Sequence, residues 1–193
     1  GQEFVLTARD VPGDAHAVGL TWPGLVKNVA AGDALLLADG ALRLRVERVS
    51  GDDVICRVEV GGPLSSHKGI NLPGVALSTP SLTEKDREDV LAGIEMGVDM
   101  LALSFVRSPD DVLELKRILA DKGATTPIIA KIEKPEAVEH YRDILDVAEG
   151  VMVARGDLGV EIAPERVPLL QRQMVQDANA AGKLAIIATQ MLD

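Results

Sequence analysis

The spacing of apolar positions changes character partway along this 193-residue chain. Early on, short runs rich in Val and Leu alternate with turn signals. Residues 34–38 are Ala-Leu-Leu-Leu-Ala, followed by Asp39-Gly40 and then Leu42-Arg43-Leu44-Arg45-Val46. The last run alternates apolar with basic residues, the period of two that a strand with one buried face requires. Asp-Gly between two such runs signals a hairpin, because a tight two-residue turn needs positive φ. Ser50-Gly51-Asp52-Asp53 supplies a second turn ahead of the apolar run at 54–60. Residues 1–72 are predicted to form a small antiparallel β domain.

From Asn71-Leu72-Pro73-Gly74 onward the pattern becomes helix and strand in alternation, and residues 73–193 are predicted to form a second domain. Ser81-Leu82-Thr83-Glu84 opens a helix, with Ser81 or Thr83 as its cap. That helix runs toward Met96 with Val90, Leu91 and Ile94 on one face. Ser108-Pro109-Asp110-Asp111 begins another, with a serine cap, proline at the first position and acids in the first turn. Further helices are predicted from Pro135 to about 147 and over about 167–181. Between them lie continuous apolar strands at 100–105, 127–132, 150–154 and 184–189. Strands that are apolar throughout and joined by helices imply a parallel sheet covered on both faces. Two α/β architectures follow, a doubly wound open sheet or a (β/α)8 barrel, and spacing alone does not choose between them. No Gly-x-Gly-x-x-Gly fingerprint follows a strand, which weakens the dinucleotide-binding version.

The polar residues of these strands collect at their carboxyl ends. One strand ends Lys131-Ile132-Glu133, the next runs out into Arg155-Gly156-Asp157-Leu158-Gly159, and the last ends Thr189-Gln190. Ligand sites in parallel β/α sheets lie at that end. Lys131 and Glu133 are two apart on a strand and so point to the same side. Glu133 and Asp157, on neighbouring strand ends, suit a hard cation such as magnesium, which takes one or two carboxylates and fills its shell with water and substrate oxygens. A lysine beside it would neutralise anionic charge that develops during reaction. Blander readings stand beside these. Lys131 and Glu133 read as a strand-end ion pair, Gly156 and Gly159 as turn glycines, Asp157 as a cap, and Asp39-Gly40 as no more than a hairpin turn. Several charged groups at one geometric level weigh toward a site.

Composition narrows the function further. A formal charge of −10 argues against nucleic acid, whose phosphates need a basic surface, and aromatics at 2% leave no stacking platform. No apolar run approaches the roughly 20 residues of a bilayer span, and the start of the chain lacks the pattern of a signal peptide. The single cysteine, Cys56, excludes an internal disulfide and points to a reducing, intracellular setting. Cys56 reads as a small core residue, and His16, His67 and His140 lack metal-ligand spacing. Ser65-Ser66-His67-Lys68-Gly69 is either an ordinary exposed loop or a phosphate contact.

Taken together, these residues resemble the pyruvate kinase family. The likeness runs through Ser66-His67-Lys68-Gly69-Ile70-Asn71-Leu72-Pro73-Gly74, Leu82-Thr83-Glu84-Lys85-Asp86 and Leu103-Ser104-Phe105-Val106-Arg107. It continues through Ala130-Lys131-Ile132-Glu133, Val151-Met152-Val153-Ala154-Arg155-Gly156-Asp157-Leu158-Gly159-Val160-Glu161 and Ala188-Thr189-Gln190-Met191-Leu192. The resemblance implies part of a (β/α)8 TIM barrel, about four strands of it, with residues 1–72 as an inserted β-barrel lid. It implies phosphoryl transfer from phosphoenolpyruvate to ADP in the cytoplasm, with Mg2+ or Mn2+ and with K+ held by residues outside this chain. By position, Glu133 and Asp157 would hold the divalent metal. Lys131 would stabilise the transferring phosphoryl group and the enolate. Gly156 and Asp157 would offer backbone N–H groups to the substrate carboxylate, and Thr189 would sit beside the substrate. Lys68 would contact nucleotide phosphates, with Asp39 facing the cleft. The family pattern has earlier and later barrel strands and a C-terminal domain, so the chain reads as a segment, inactive alone, of a homotetrameric enzyme. The competing readings are a magnesium-dependent aldolase or lyase that uses a pyruvate enolate, and a catalytically dead regulatory relative.

Overall fold

The computed structural model describes residues 1–66, 68–74 and 81–188. The chain divides into two compact units, Gly1–Ser78 and Thr79–Asp193.

In the first unit the alternating runs become β1 (Glu3–Thr7), β2 (Ala17–Gly19), β3 (Ala34–Leu37), β4 (Leu42–Ser50), β5 (Asp53–Val60) and β6 (Ile70–Asn71). They form one sheet in the order β2-β1-β5-β4-β3-β6. Its pairings are antiparallel except that of β1 with β2, which is parallel. Residues 8–16 account for the exception: they carry the chain back to the start of β1, so Ala17 pairs with Val5 and β2 runs alongside in the same direction. A short helix, α1 (Leu25–Asn28), was not evident from the pattern; it places Leu25 in the core with Leu6, Leu35, Leu44, Val46, Val54 and Cys56. The period of two in 42–46 holds. Leu42, Leu44 and Val46 face inward, while Arg43 and Arg45 face outward and meet Glu59 at 2.8 and 2.9 Å. Exposed pairs of this kind add little beside the roughly 1.5–3 kcal/mol of each fully buried Leu or Val, so the apolar face dominates. Asp39-Gly40 forms the expected tight turn, with φ of 57° and 86° and the Ala41 N–H donating to the Ala38 carbonyl at 3.1 Å.

The second unit holds a four-stranded sheet, ordered β10-β9-β8-β7, with every pairing parallel. Its strands are β7 (Leu101–Leu103), β8 (Ile128–Ile132), β9 (Gly150–Ala154) and β10 (Leu184–Ala188). The helices are α2 (Glu84–Met96), α3 (Pro109–Asp121), α4 (Pro135–Glu139), α5 (Tyr141–Val147), α6 (Arg155–Glu161) and α7 (Val167–Ala180). Ile128, Ala130 and Ile132 of β8 and Val151 and Val153 of β9 bury one face against Leu115, Leu119, Ile144 and Met174 of the helices. Residue parity therefore sends Ile129, Lys131 and Glu133 to the opposite face. At the amino end of β9 the packing leaves no room for a side chain: a Cβ on Gly150 would lie 2.8 Å from Ile129 Cδ1 and 2.9 Å from the Leu184 carbonyl oxygen.

Several boundaries differ from the sequence reading. Thr83, not Ser81, caps α2. Its hydroxyl accepts from the Asp86 N–H at 3.2 Å while Asp86 accepts from the Thr83 N–H at 2.8 Å. The Ser81 hydroxyl instead donates to Asp111 in the first turn of α3, at 2.6 Å. The strand predicted at 100–105 is shorter, because Phe105 turns into the left-handed region at φ 54°. The helix predicted from Pro135 to about 147 is two helices, broken at His140, whose φ −96° and ψ 17° leave the helical region. Arg155-Gly156-Asp157-Leu158-Gly159, into which the strand runs out, forms the body of α6, so Gly156 and Gly159 are helical and not turn glycines. Buried Leu158 pins this helix to the core directly after β9.

Candidate active site

Leu103 of β7 is in register with Ala130 of β8, so the next residues, Ser104 and Lys131, emerge at one level. The Lys131 ammonium donates to Ser104 Oγ at 2.9 Å and lies 2.5 Å from Glu133 Oε1. The other carboxylate oxygen, Oε2, accepts the Phe105 backbone N–H at 2.8 Å. Glu133 is only 1% exposed, whereas 24% of the Lys131 side chain reaches solvent. A buried carboxylate is tolerated only when its charge is paired and its oxygens are hydrogen-bonded, and Glu133 has both. The left-handed backbone of Phe105 costs a non-glycine residue about 1–2 kcal/mol, so the surrounding structure imposes it. Its ring is half-exposed, and the Lys134 ammonium sits 5.8 Å from the ring centroid. Lys134 in turn pairs with Glu161, the last residue of α6, at 2.5 Å.

Asp157 and Gly156 lie in the first turn of α6, which begins where β9 ends. Ile132 pairs with Val153, so Glu133 is level with Ala154 and the α6 start follows immediately on the neighbouring strand. The amides of a first helical turn have no acceptor within the helix, so those of Gly156 and Asp157 can donate to something else. Among the described residues, no three His, Cys, Asp or Glu side chains converge as a complete metal cage. Each Glu133 oxygen has a second lone pair beyond its contact with Lys131 or with the Phe105 N–H, so this carboxylate keeps acceptor capacity that suits a hard cation. Thr189 lies outside the described residues, as do Gln190 and His67; β10 is described up to Ala188, in register with Ala154.

In the first unit, Asp39 sits exposed at the tip of the β3–β4 turn, and Lys68 is exposed two residues before β6. Leu37 pairs with Ile70 in antiparallel fashion. The ladder thus carries Asp39 and Lys68 to the same end of the sheet, a juxtaposition that neither local motif reveals.

Ser104, Phe105, Lys134 and Glu161 received no role from the sequence. Ser104 and Phe105 were within reach of the strand-end rule, since they occupy the end of the first parallel strand just as Lys131 and Glu133 occupy the second. The Lys134–Glu161 pair, 27 residues apart, has no local signature.

The second unit is part of a parallel β/α barrel with charged groups at the carboxyl ends of its strands. The family model described as "Pyruvate kinase, barrel domain" matches residues 1–193. Among similar proteins, pyruvate kinase 2 of Synechocystis sp. is 47% identical over 195 residues, covering 100% of this chain and 33% of its own length. The pyruvate kinases of Mycobacterium tuberculosis and Clostridium perfringens are 46% and 45% identical, each covering 100% of this chain and 41% of their own length. This chain belongs to the pyruvate kinase family. It spans between a third and two-fifths of the length of these relatives. No helix among the described residues is long and apolar enough to cross a membrane.

Proposed function

We propose that the protein carrying this chain transfers a phosphoryl group from phosphoenolpyruvate to ADP, giving pyruvate and ATP. The observation that carries this reading is the placement of the Lys131 ammonium at the end of β8, braced by Ser104 Oγ at 2.9 Å and by buried Glu133 at 2.5 Å. Phosphoryl transfer asks a protein mainly for positioning and for charge neutralisation. A partly exposed ammonium held by two partners supplies both, since it needs little reorganisation as negative charge builds on the phosphoryl group and the enolate. Glu133 and Asp157 would hold Mg2+ or Mn2+, which when bound would neutralise phosphate charge and polarise substrate oxygens. The amides of Gly156 and Asp157 would orient the substrate carboxylate, and Thr189 would stand beside the carbon that is protonated. Lys68 and Asp39 are assigned to the nucleotide, potassium to residues outside this chain, and the whole protein to the cytoplasm as a homotetramer.

The test is ADP-dependent consumption of phosphoenolpyruvate by the complete protein, coupled to lactate dehydrogenase. Turnover that requires both ADP and a divalent cation, and that is lost on Lys131→Met, is the expected result. Phosphoenolpyruvate-independent cleavage of a hydroxylated keto acid would favour the lyase instead. A folded but inactive wild-type protein would favour the dead relative.

A further inference from the structure

Lys134 has no part in the chemistry just described, yet it touches both sides of it. Its ammonium pairs with Glu161 at 2.5 Å with the two side chains 16% and 3% exposed, and it also stands over the Phe105 ring at 5.8 Å. Stability is a poor account of such a pair. Removing two charges from water costs several kcal/mol per ion, roughly what their attraction returns, and apolar replacements are often neutral or better. Geometry offers a better account. Glu161 is four residues after Asp157 on α6, so the two carboxylates lie on one face of that helix. Holding Glu161 therefore adds a second anchor, beside buried Leu158, on how α6 is rotated about its own axis, and with it on the direction of Asp157. At the other end, Phe105 supplies the N–H that holds Glu133 Oε2 at 2.8 Å. One cation thus links the end of β7, the end of β8 and the helix that follows β9.

Building on the proposed metal role of Glu133 and Asp157, we infer that Lys134 is a positioning residue that sets the spacing and orientation of these two carboxylates through Glu161 and Phe105. Groups that touch metal ligands directly change metal affinity by about 10–100-fold when removed; Lys134 and Glu161 stand one contact further out, so the low end of that range is expected. The effect belongs to the apo protein and needs no substrate.

The test is Mn2+ titration of the complete protein without substrates, with free Mn2+ read by electron paramagnetic resonance. Lys134→Met and Glu161→Gln are each expected to weaken binding about 10-fold. The double variant should be no worse than Lys134→Met alone, because that substitution already removes the contact that Glu161→Gln weakens. Lys134→Arg, which keeps the cation over the ring, should bind within about threefold of wild type. Should Lys134→Met fail to fold, Glu161→Gln decides alone, since it removes the carboxylate charge that Lys134 holds while keeping the volume of the side chain. A change of less than about threefold in the folded singles, or losses that simply add, overturns the inference. Glu133→Gln is the control. If it abolishes Mn2+ binding while Lys134→Met and Glu161→Gln leave it intact, the metal site stands and only the positioning role falls. If Glu133→Gln binds Mn2+ like wild type, the metal reading fails and takes this inference with it.

Discussion

Lys131 and Glu133, two residues apart at the end of β8, meet at 2.5 Å on the face of the sheet away from the helices. A strand-end ion pair and a reactive site make different demands on those atoms. A structural pair needs only the two charges. The arrangement here adds a hydroxyl from Ser104 to the cation and a backbone N–H from Phe105 to the anion, and leaves the ammonium partly open.

Lys131→Met in the complete protein is expected to lower kcat by about 10^2–10^3-fold, the range seen when one preorganised charge-stabilising group is lost. It should also lower stability, because Glu133 remains buried without its cation. Adding Glu133→Gln to Lys131→Met should restore the melting temperature but not the activity. Recovery of both would reduce the pair to a structural one.

The Phe105 backbone gives a second expectation. At φ 54° an alanine carries a left-handed penalty of about 1–2 kcal/mol that glycine escapes, while glycine's extra freedom in the unfolded chain returns about 0.4–1 kcal/mol of it. Phe105→Gly should therefore unfold at higher urea than Phe105→Ala, by about 0.5–1 kcal/mol. Both variants lose the ring, so the comparison isolates the backbone. Equal stability would show that the left-handed conformation is not held in solution.

How much of this could be read from the chain depends on the distance over which each signal acts. The alternation at 42–46, the Asp39-Gly40 turn and the caps near 83 and 108 are local, and they formed as the local chemistry requires. Lys131 and Glu133 were legible for the same reason, since parity on one strand fixes their common side. The parallel β1–β2 pair, the break at His140 and the immediate start of α6 were not, because tertiary packing decides them. Leu158, for example, is buried deeply enough to hold a helix through two glycines that would otherwise signal a turn. The contacts of Phe105, Lys134 and Glu161 depend on three separate strand ends and leave no mark in any one of them.

The α2 cap links stability to pH. The Thr83 hydroxyl, then the Thr83 N–H, hold the Asp86 carboxyl below its usual value, outweighing the opposing effect of burial. A lowered carboxylate contributes stability that is present above its unfolded pKa and is lost as pH falls through its folded one. Thr83→Ala is expected to cost about 1 kcal/mol at pH 7, read as roughly fivefold faster amide exchange in the first turn of α2. The difference should be the same at pH 6 and should shrink below about pH 4. A deficit that grows on acidification would contradict the assignment.

Cys56 is fully buried, and burial, with a smaller push from the Glu47 charge, raises its thiol to about 12. Thiolate is the reactive form, so Cys56 should resist iodoacetamide in the native protein and be alkylated once urea unfolds the sheet, as read by peptide mass spectrometry. Alkylation of the native protein would place the thiol at the surface.

Crystals of the complete protein grown with Mn2+ and phosphoenolpyruvate, measured at the manganese absorption edge, test the site most directly. One anomalous peak is expected within coordinating distance of both the Glu133 and Asp157 carboxylates, with the Lys131 ammonium beside the phosphate. A peak that touches only one of those carboxylates, or lies away from the strand ends altogether, would contradict it.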